Sequence, residues 1–352
     1  MEYIKPQYPV PEVNRAGRLA AAAEQSGNAL SVSEELTWAF IVLSNWRAAH
    51  HRPLNTFYMT LKARALRVDQ ESIPSQRIKR LESIASKLTR EHSMKLSQMQ
   101  DIGGCRVVLR DLDAVRSLEA EYEGKSGHTR KSSKDYIAAP KVSGYRGIHL
   151  IYAFKGRDAS EHDGLKVEIQ LRTKLQHIWA TAVEAAGTFT NQALKSSQGS
   201  AEWRRFFALV SSWFAHLEGT PLVPGTPTDV TALRTEIVEL ATSLHVVGVL
   251  NAYSSTLQGL AHLRRGKYYL LQLDAATLET SVRVFSAAQT EQANAAYIEL
   301  ERSLPPKSGK QVVLVSVESL QALRQAYPNY FLDTAEFVQR VQEILATQPV
   351  DA

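Results

Sequence analysis

Between residues 104 and 173 the chain changes from a helical hydrophobic pattern to short β-rich runs, and it returns to a helical pattern afterwards. That double switch confines it to a mixed α/β architecture with one sheet enclosed by helices. The runs are GCRVVLR (104–110), RKSSKDYI (130–137), GIHLIYAFKG (147–156) and LKVEIQLRT (165–173), with a helix from Asp113 to Glu121 among them. RDASEHDG between the last two reads as a hairpin connection. Upstream, residues 1–13 carry three prolines and read as an extended arm, followed by helical patterning to Arg90. In SVSEELTWAFIVLSNWRAA, Ser31 or Ser33 is a plausible N-cap. A helix is expected from Pro74 and Ser75 through RIKRLESIASKLTRE. Its apolar face would hold Ile78, Leu81, Ile84, Ala85 and Leu88, with Arg77, Lys79, Arg80, Lys87 and Arg90 turned away. Residues from Lys174 to Glu218 read as helical again.

Three prolines and a glycine in PLVPGTPTD (221–229) mark a linker. Beyond it the pattern gives a helix from Asp229 to Arg265, two strands (YYLLQLD, TSVRVFSA), a helix near 290–302, a strand (QVVLVSV) and two short helices. The expected organisation is a first unit over 1–220, a linker and long helix over 221–265, and a smaller α/β unit over 266–352. The 352 residues suffice for two domains of ordinary size. A single cysteine, Cys105, excludes an intramolecular disulfide and a cysteine-built zinc site. With no long apolar run and no apolar core near the N-terminus, a cytoplasmic protein without membrane contact is expected. Residues 1–200 hold 29 Lys/Arg against 21 Asp/Glu, a balance of +8, and the remainder 12 against 15, a balance of −3. A basic first part suits polyphosphate or nucleic-acid partners.

Polar residues concentrate between 101 and 172. Asp101 precedes a strand containing Gly104 and Arg106, while Glu168, Gln170 and Arg172 alternate on another strand and so share a face. Two carboxylates directed at one place could hold Mg²⁺, which commonly takes one or two acids plus substrate phosphates. Between them, residues 125–146 carry six Lys/Arg against Asp135 alone. Cations there can neutralise phosphates, and Tyr136 or Tyr145, beside Gly144, can stack on a base.

RIKRLESIASK, DIGGCRVV, KDYIAAPKVSGYRGIH and VEIQLRT occur here in the order and spacing of the RelA/SpoT-type pyrophosphokinase (alarmone synthetase) domain, which the chain resembles over about residues 75–175. The resemblance implies a mixed five-stranded, nucleotidyltransferase-like sheet flanked by helices. It also implies transfer of the β,γ-pyrophosphate of ATP to a ribose 3′-hydroxyl, with release of AMP. On that pattern Asp101 and Glu168 bind Mg²⁺, and Glu168, assisted by Gln170, draws the hydroxyl proton. Arg77 and Arg106 sandwich adenine, and Lys79, Arg80 and Lys87 face the phosphates. Lys134, Lys141 and Arg172 hold the transferred or acceptor phosphates, and Tyr145 stacks on the acceptor base with His149 behind it.

The chain also departs from the pattern. The usual acceptor loop N-G-Y-R-S is here Ser143-Gly144-Tyr145-Arg146-Gly147, and no His-Asp pair sits where the bifunctional relatives' hydrolase would need one. The C-terminal part more weakly resembles fused toxin–antitoxin synthetases of the CapRel type, whose Tyr-x-x-Tyr motif blocks the ATP site; Tyr327 and Tyr330 match it. The expected acceptor is therefore the 3′-CCA end of tRNA, with Arg130 and Lys131 on the RNA backbone, the tail as inhibitor and a phage protein as activator. GDP or GTP as acceptor is the alternative, and the oligomeric state is open.

Overall fold

A computed structural model describes residues 3–26, 33–124, 127–158, 160–193, 200–248, 250, 268–274, 279–304, 310–316 and 334–346. Five strands form the expected mixed sheet: β1 (Ile73–Ile78), β2 (Gly103–Leu109), β3 (Thr129–Asp135), β4 (Ile148–Ala153) and β5 (Lys166–Thr173). Their order is β3-β4-β5-β2-β1, with β2 and β5 parallel and the other pairs antiparallel. The alternation in β5 sorts its side chains as expected. Val167, Ile169 and Leu171 are fully buried in one face, and Glu168, Gln170 and Arg172 are bonded to one another on the other.

Ten helices are described. On the apolar face, Leu54, Phe57 and Leu61 of α3 (His51–Val68) and Val115 and Leu118 of α5 (Leu112–Ala120) pack on Cys105, Val107, Leu150 and Ile169. A second core joins α1 (Val10–Ser26), α2 (Glu34–Ala49) and α4 (Leu81–Arg90). Ser33 caps α2 by accepting from the Leu36 amide. A third gathers α6 (Lys174–Ala193), α7 (Ser200–Leu217), α8 (Val230–Ser243, capped by Asp229) and α10 (Ala335–Ala346). α9 (Thr290–Ser303) belongs with the C-terminal strands. No described helix is long and apolar enough to cross a membrane.

Three expectations need correction. Residues 73–78 are a strand, and the helix begins only at Leu81. Pairing with β2 along the whole of β1 overrides the helical spacing. The N-terminal arm is shorter than expected, since α1 starts at Val10. The long helix after the linker breaks after Ser243, at His245 in the left-handed region at φ 48°; residues 246–248 are helical again, and residues 251–267 lie outside the described set.

The C-terminal residues do form strands and a helix, but their strands extend the first sheet. β6 (Tyr268–Asp274), β7 (Glu279–Phe285) and β8 (Lys310–Ser316) continue the order as β1-β8-β6-β7. The seam is short, with Gln76 opposite Ser316 and Arg77 opposite Val315.

Two expected outcomes test this packing. Gly144 lies at φ 92°, and a Cβ there would come within 2.7 Å of Trp179 Cζ2 and 3.2 Å of Ala208 Cα. Gly144→Ala should lower unfolding free energy by about 2–4 kcal/mol, combining left-handed strain with overpacking. Gly124→Ala, with ordinary φ and no described atom within 4 Å, should change urea midpoints little. His50 is buried, its Nδ1 2.7 Å from the Trp46 carbonyl oxygen, and burial pushes its pKa down to about 4 despite that bond. Between pH 6.5 and about 4 the unfolded chain gains a proton here that the folded chain does not. Stability should therefore fall on acidification by up to about 1.4 kcal/mol per pH unit from this group, then level off. His50→Gln should remove that share of the slope in urea titrations across the same range.

Candidate active site

Residues directly opposite each other in neighbouring strands point to the same face of a sheet. Registers Arg77↔Gly104, Gly104↔Glu168, Arg106↔Gln170, Val108↔Arg172, His149↔Gln170 and Lys134↔His149 therefore put the expected residues on one face. This is the face that α3 and α5 leave uncovered.

At its centre is a closed circuit of five side chains. Glu168 Oε1 lies 2.8 Å from His149 Nδ1, and His149 Nε2 lies 2.5 Å from the Tyr145 hydroxyl. Arg172 Nη2 donates to that hydroxyl at 3.1 Å and to Gln170 Oε1 at 3.0 Å, and Gln170 Nε2 returns to Glu168 Oε2 at 2.6 Å. One proton assignment satisfies every link with a neutral imidazole: Nδ1–H donates to Glu168, and Tyr145 donates to Nε2. Burial raises the Glu168 pKa, but the hydrogen bond from His149, the positive charge that ring carries when protonated, and the amide of Gln170 outweigh it and hold the carboxyl below its ordinary value. The nearby Asp101 charge acts in the opposite sense.

Asp101 sits just before β2 and accepts from two lysines, Lys79 Nζ at 2.8 Å and Lys87 Nζ at 3.1 Å. Lys79 follows β1, its amide fixed on the Ile102 carbonyl, and Lys87 projects from α4. Burial alone would raise the Asp101 pKa; the two ammonium groups bring it below the ordinary value. Asp101 and Glu168 are thus two ionised, mutually repelling oxygen donors. Their chemistry fits Mg²⁺, which takes one or two carboxylates when substrate phosphates supply further ligands. No cluster of three or more His, Cys, Asp or Glu that could hold a metal is present among the described residues.

The loop between β3 and β4 brings Tyr145 to the circuit. Ser211 Oγ of α7 donates to the Gly144 carbonyl at 2.5 Å, and at Gly147, φ 147°, an added Cβ would stand 3.3 Å from the Leu171 carbonyl oxygen and 3.5 Å from the Tyr145 hydroxyl. Lys141 Nζ lies 4.3 Å from the Tyr136 ring centroid and 5.3 Å from that of Tyr145. Arg172 is buried, and its Nε and Nη1 have no hydrogen-bond partner among the described residues. Buried guanidinium donors left over in this way suit a bound anion.

Not every expected residue joins this cluster. A bulge between Arg130 and Ser132 sets Arg130 opposite Tyr152, on the other face, where it pairs with Glu123 at 2.9 Å. Lys131 is exposed at the bulge, and its charge lowers the pKa of Lys166 after burial has done so. Arg80 occupies the N-cap position of α4, and Lys134 is exposed on β3. Tyr327 and Tyr330 lie outside the described residues. Sequence reasoning missed Glu218, which accepts from Arg146, Thr173 and Gln176 and ties the Tyr145 loop to β5 and α6. Nothing local marks it, because its partners are at least 42 residues away.

Residues 76–193 match the family model described as "Region found in RelA / SpoT proteins". GTP pyrophosphokinase YjbM of Bacillus subtilis is 33% identical over 107 residues, 30% of this chain and 51% of that protein. GTP pyrophosphokinase YwaC of the same organism is 31% identical over 111 residues, 30% of this chain and 52% of that protein. The chain thus spans about half the length of these curated relatives. Among solved structures, the small alarmone synthetase 1 from Bacillus subtilis bound to pppGpp aligns with a TM-score of 0.42 at 23% identity, covering 49% of this chain and 90% of the other. The segment that supplies the whole Glu168 circuit and Asp101 beside it is the one that matches this RelA/SpoT family model.

Proposed function

We propose that this face is the active site of an ATP-dependent pyrophosphokinase that moves the β,γ-pyrophosphate of ATP to a ribose 3′-hydroxyl and releases AMP. The observation that carries the reading is the circuit around Glu168, an ionised carboxylate oriented on both oxygens beside a second ionised carboxylate. Glu168 accepts the hydroxyl proton as the acceptor oxygen attacks. Assistance of this kind contributes about 10²–10⁴-fold. His149 and Gln170 hold the carboxylate in place while it does so. Arg77 and Arg106 flank Gly104, where the absent side chain leaves an open floor for a purine between two guanidinium planes. Lys79 and Lys87 supply positive charge for the phosphates, and the spare donors of Arg172 point to the same use. Mg²⁺ held by Asp101 and Glu168 would neutralise charge developing on the pyrophosphate.

GDP or GTP is the acceptor that the names of the relatives favour. The tRNA 3′-CCA reading, with a self-inhibiting tail and a phage protein as trigger, keeps the exposed Lys131, Lys134 and Lys141 and the altered loop at Ser143 and Gly147. It loses Arg130, which pairs with Glu123 on the opposite face.

Incubating the protein with Mg²⁺, ATP labelled in its β- or γ-phosphate, and GDP, GTP or tRNA decides among these. Labelled guanosine nucleotide is the expected product, and label in tRNA alone would make tRNA the acceptor. Glu168→Gln should slow transfer by at least about 100-fold while ATP still binds in calorimetry. Label in none of the three acceptors, from protein that binds ATP, would remove the pyrophosphokinase reading.

A further inference from the structure

Helix α4 carries Lys87 and follows directly on Lys79, yet its N-terminus lacks a cap of its own. The N-cap residue, Arg80, has extended backbone (φ −62°, ψ 148°), and its side chain makes no capping bond. The first helical amide, Leu81 N–H, donates instead to Oε1 of Glu301, 220 residues later in α9, at 2.7 Å. The other oxygen of Glu301 accepts from Arg47 Nη1 of α2 at 2.6 Å. Arg47 Nη2 is 2.5 Å from the Tyr297 hydroxyl, and Arg47 Nε donates to the backbone carbonyl of Lys79 at 3.0 Å. Both charged side chains are more than nine-tenths buried. One turn earlier in the path, Gln76 and Arg77 pair with Ser316 and Val315 of β8.

Residues 76–81 are therefore held by the C-terminal half from two directions, by a strand at one end and a carboxylate at the other. A carboxylate at a helix N-terminus satisfies an otherwise orphaned amide and complements the helix dipole. Because Lys79 and Lys87 meet on the two oxygens of Asp101, the entry angle of α4 sets where both ammonium groups stand.

We infer that Glu301 is a positioning residue for Lys79 and Lys87, so that the C-terminal half completes the donor-phosphate side of the site. The inference rests on the reading of this face as an ATP site. Glu301 itself touches no residue of the Glu168 circuit in the bonds described. Its effect runs through the Leu81 amide and, by way of Arg47, the Lys79 carbonyl.

The test separates positioning from bulk stability. Removing one member of a buried ion pair strands the other, whereas replacing both by apolar residues is frequently neutral to stability. In the full-length protein, Glu301→Ala and the double variant Arg47→Met/Glu301→Leu are compared with Glu301→Gln, which keeps an acceptor for Leu81. The readouts are hydrogen exchange of amides 81–88, calorimetric Kd for ATP with Mg²⁺, and kcat at saturating ATP. The double variant should melt near the parent temperature yet exchange faster at the start of α4. Its Kd for ATP should rise by about tenfold, and kcat should change much less. Glu301→Gln should restore most of the protection. A stable double variant whose α4 exchange and ATP affinity match the parent overturns the inference. If the parent itself binds no ATP, the ATP-site reading falls, while the exchange of amides 81–88 still decides whether Glu301 positions α4.

Discussion

Two carboxylates of like charge, Asp101 and Glu168, sit partly shielded from water on the same face of the sheet, and each makes ionisation of its neighbour harder. Burial pushes both pKa values up as well. Much of what surrounds them keeps both ionised. Asp101 is held by two ammonium groups delivered from β1 and α4. Glu168 is held by an imidazole and an amide delivered from β4 and β5. The sheet order follows this need. β4, β5, β2 and β1 are adjacent, so their side chains on one face meet within hydrogen-bond reach, while the opposite face is given over to aliphatic packing.

The circuit through Tyr145 has a direction as well as a shape. Arg172 can only donate, so Tyr145 accepts from it; with His149 neutral, Tyr145 sends its own proton to Nε2 and the ring presents its other N–H to Glu168. Every member is thus fixed by the next, and low local polarity strengthens such a chain of bonds. The loop that brings Tyr145 into place is anchored outside the circuit by the buried Arg146–Glu218 pair and by Ser211 on the Gly144 carbonyl. Helices α6 and α7 therefore act on the Tyr145 loop through backbone placement, with Trp179 filling the space where a residue larger than glycine at 144 would put its Cβ.

The centre of the site was legible because strand alternation and motif spacing are local. Glu168, Gln170 and Arg172 share a face whatever the rest of the chain does, and the four motifs fall on the elements that build the face. The misread helix at 74–80 shows where locality ends. Ile78, Leu81, Ile84, Ala85 and Leu88 keep helical spacing across a strand-to-helix junction, and the residue at that junction is an arginine, which does not announce a helix start. The true cap is a glutamate from another part of the chain, so no window around residue 80 contains it. Arg130 was misplaced for a related reason. A bulge reverses which face a strand residue occupies, and TRKSSKD carries no glycine or proline to mark one. The merging of the C-terminal strands with the first sheet depends on a seam two residues long, too little to leave any periodic trace.

That seam changes what the second half of the chain is for. A basic first part and a weakly acidic remainder, joined by a proline-rich linker, suggest two bodies that dock and part. The described contacts are of another kind. The Arg47–Glu301 pair is buried, uses both carboxylate oxygens and supplies backbone partners to Lys79 and Leu81. Pulling α9 away would leave a buried guanidinium without its counter-ion and a helix amide without an acceptor, each of which costs free energy on the scale of a typical destabilising substitution. Long-range attraction between unlike net charges is screened within about 8 Å at physiological salt and could not fix such geometry. Short-range bonds can. Whatever the segment around Tyr327 and Tyr330 does, α9 and β8 already share the strand and the helix that carry Arg77, Lys79 and Lys87, so control exercised from the C-terminal half would act by moving the donor side of the site as well as by covering it.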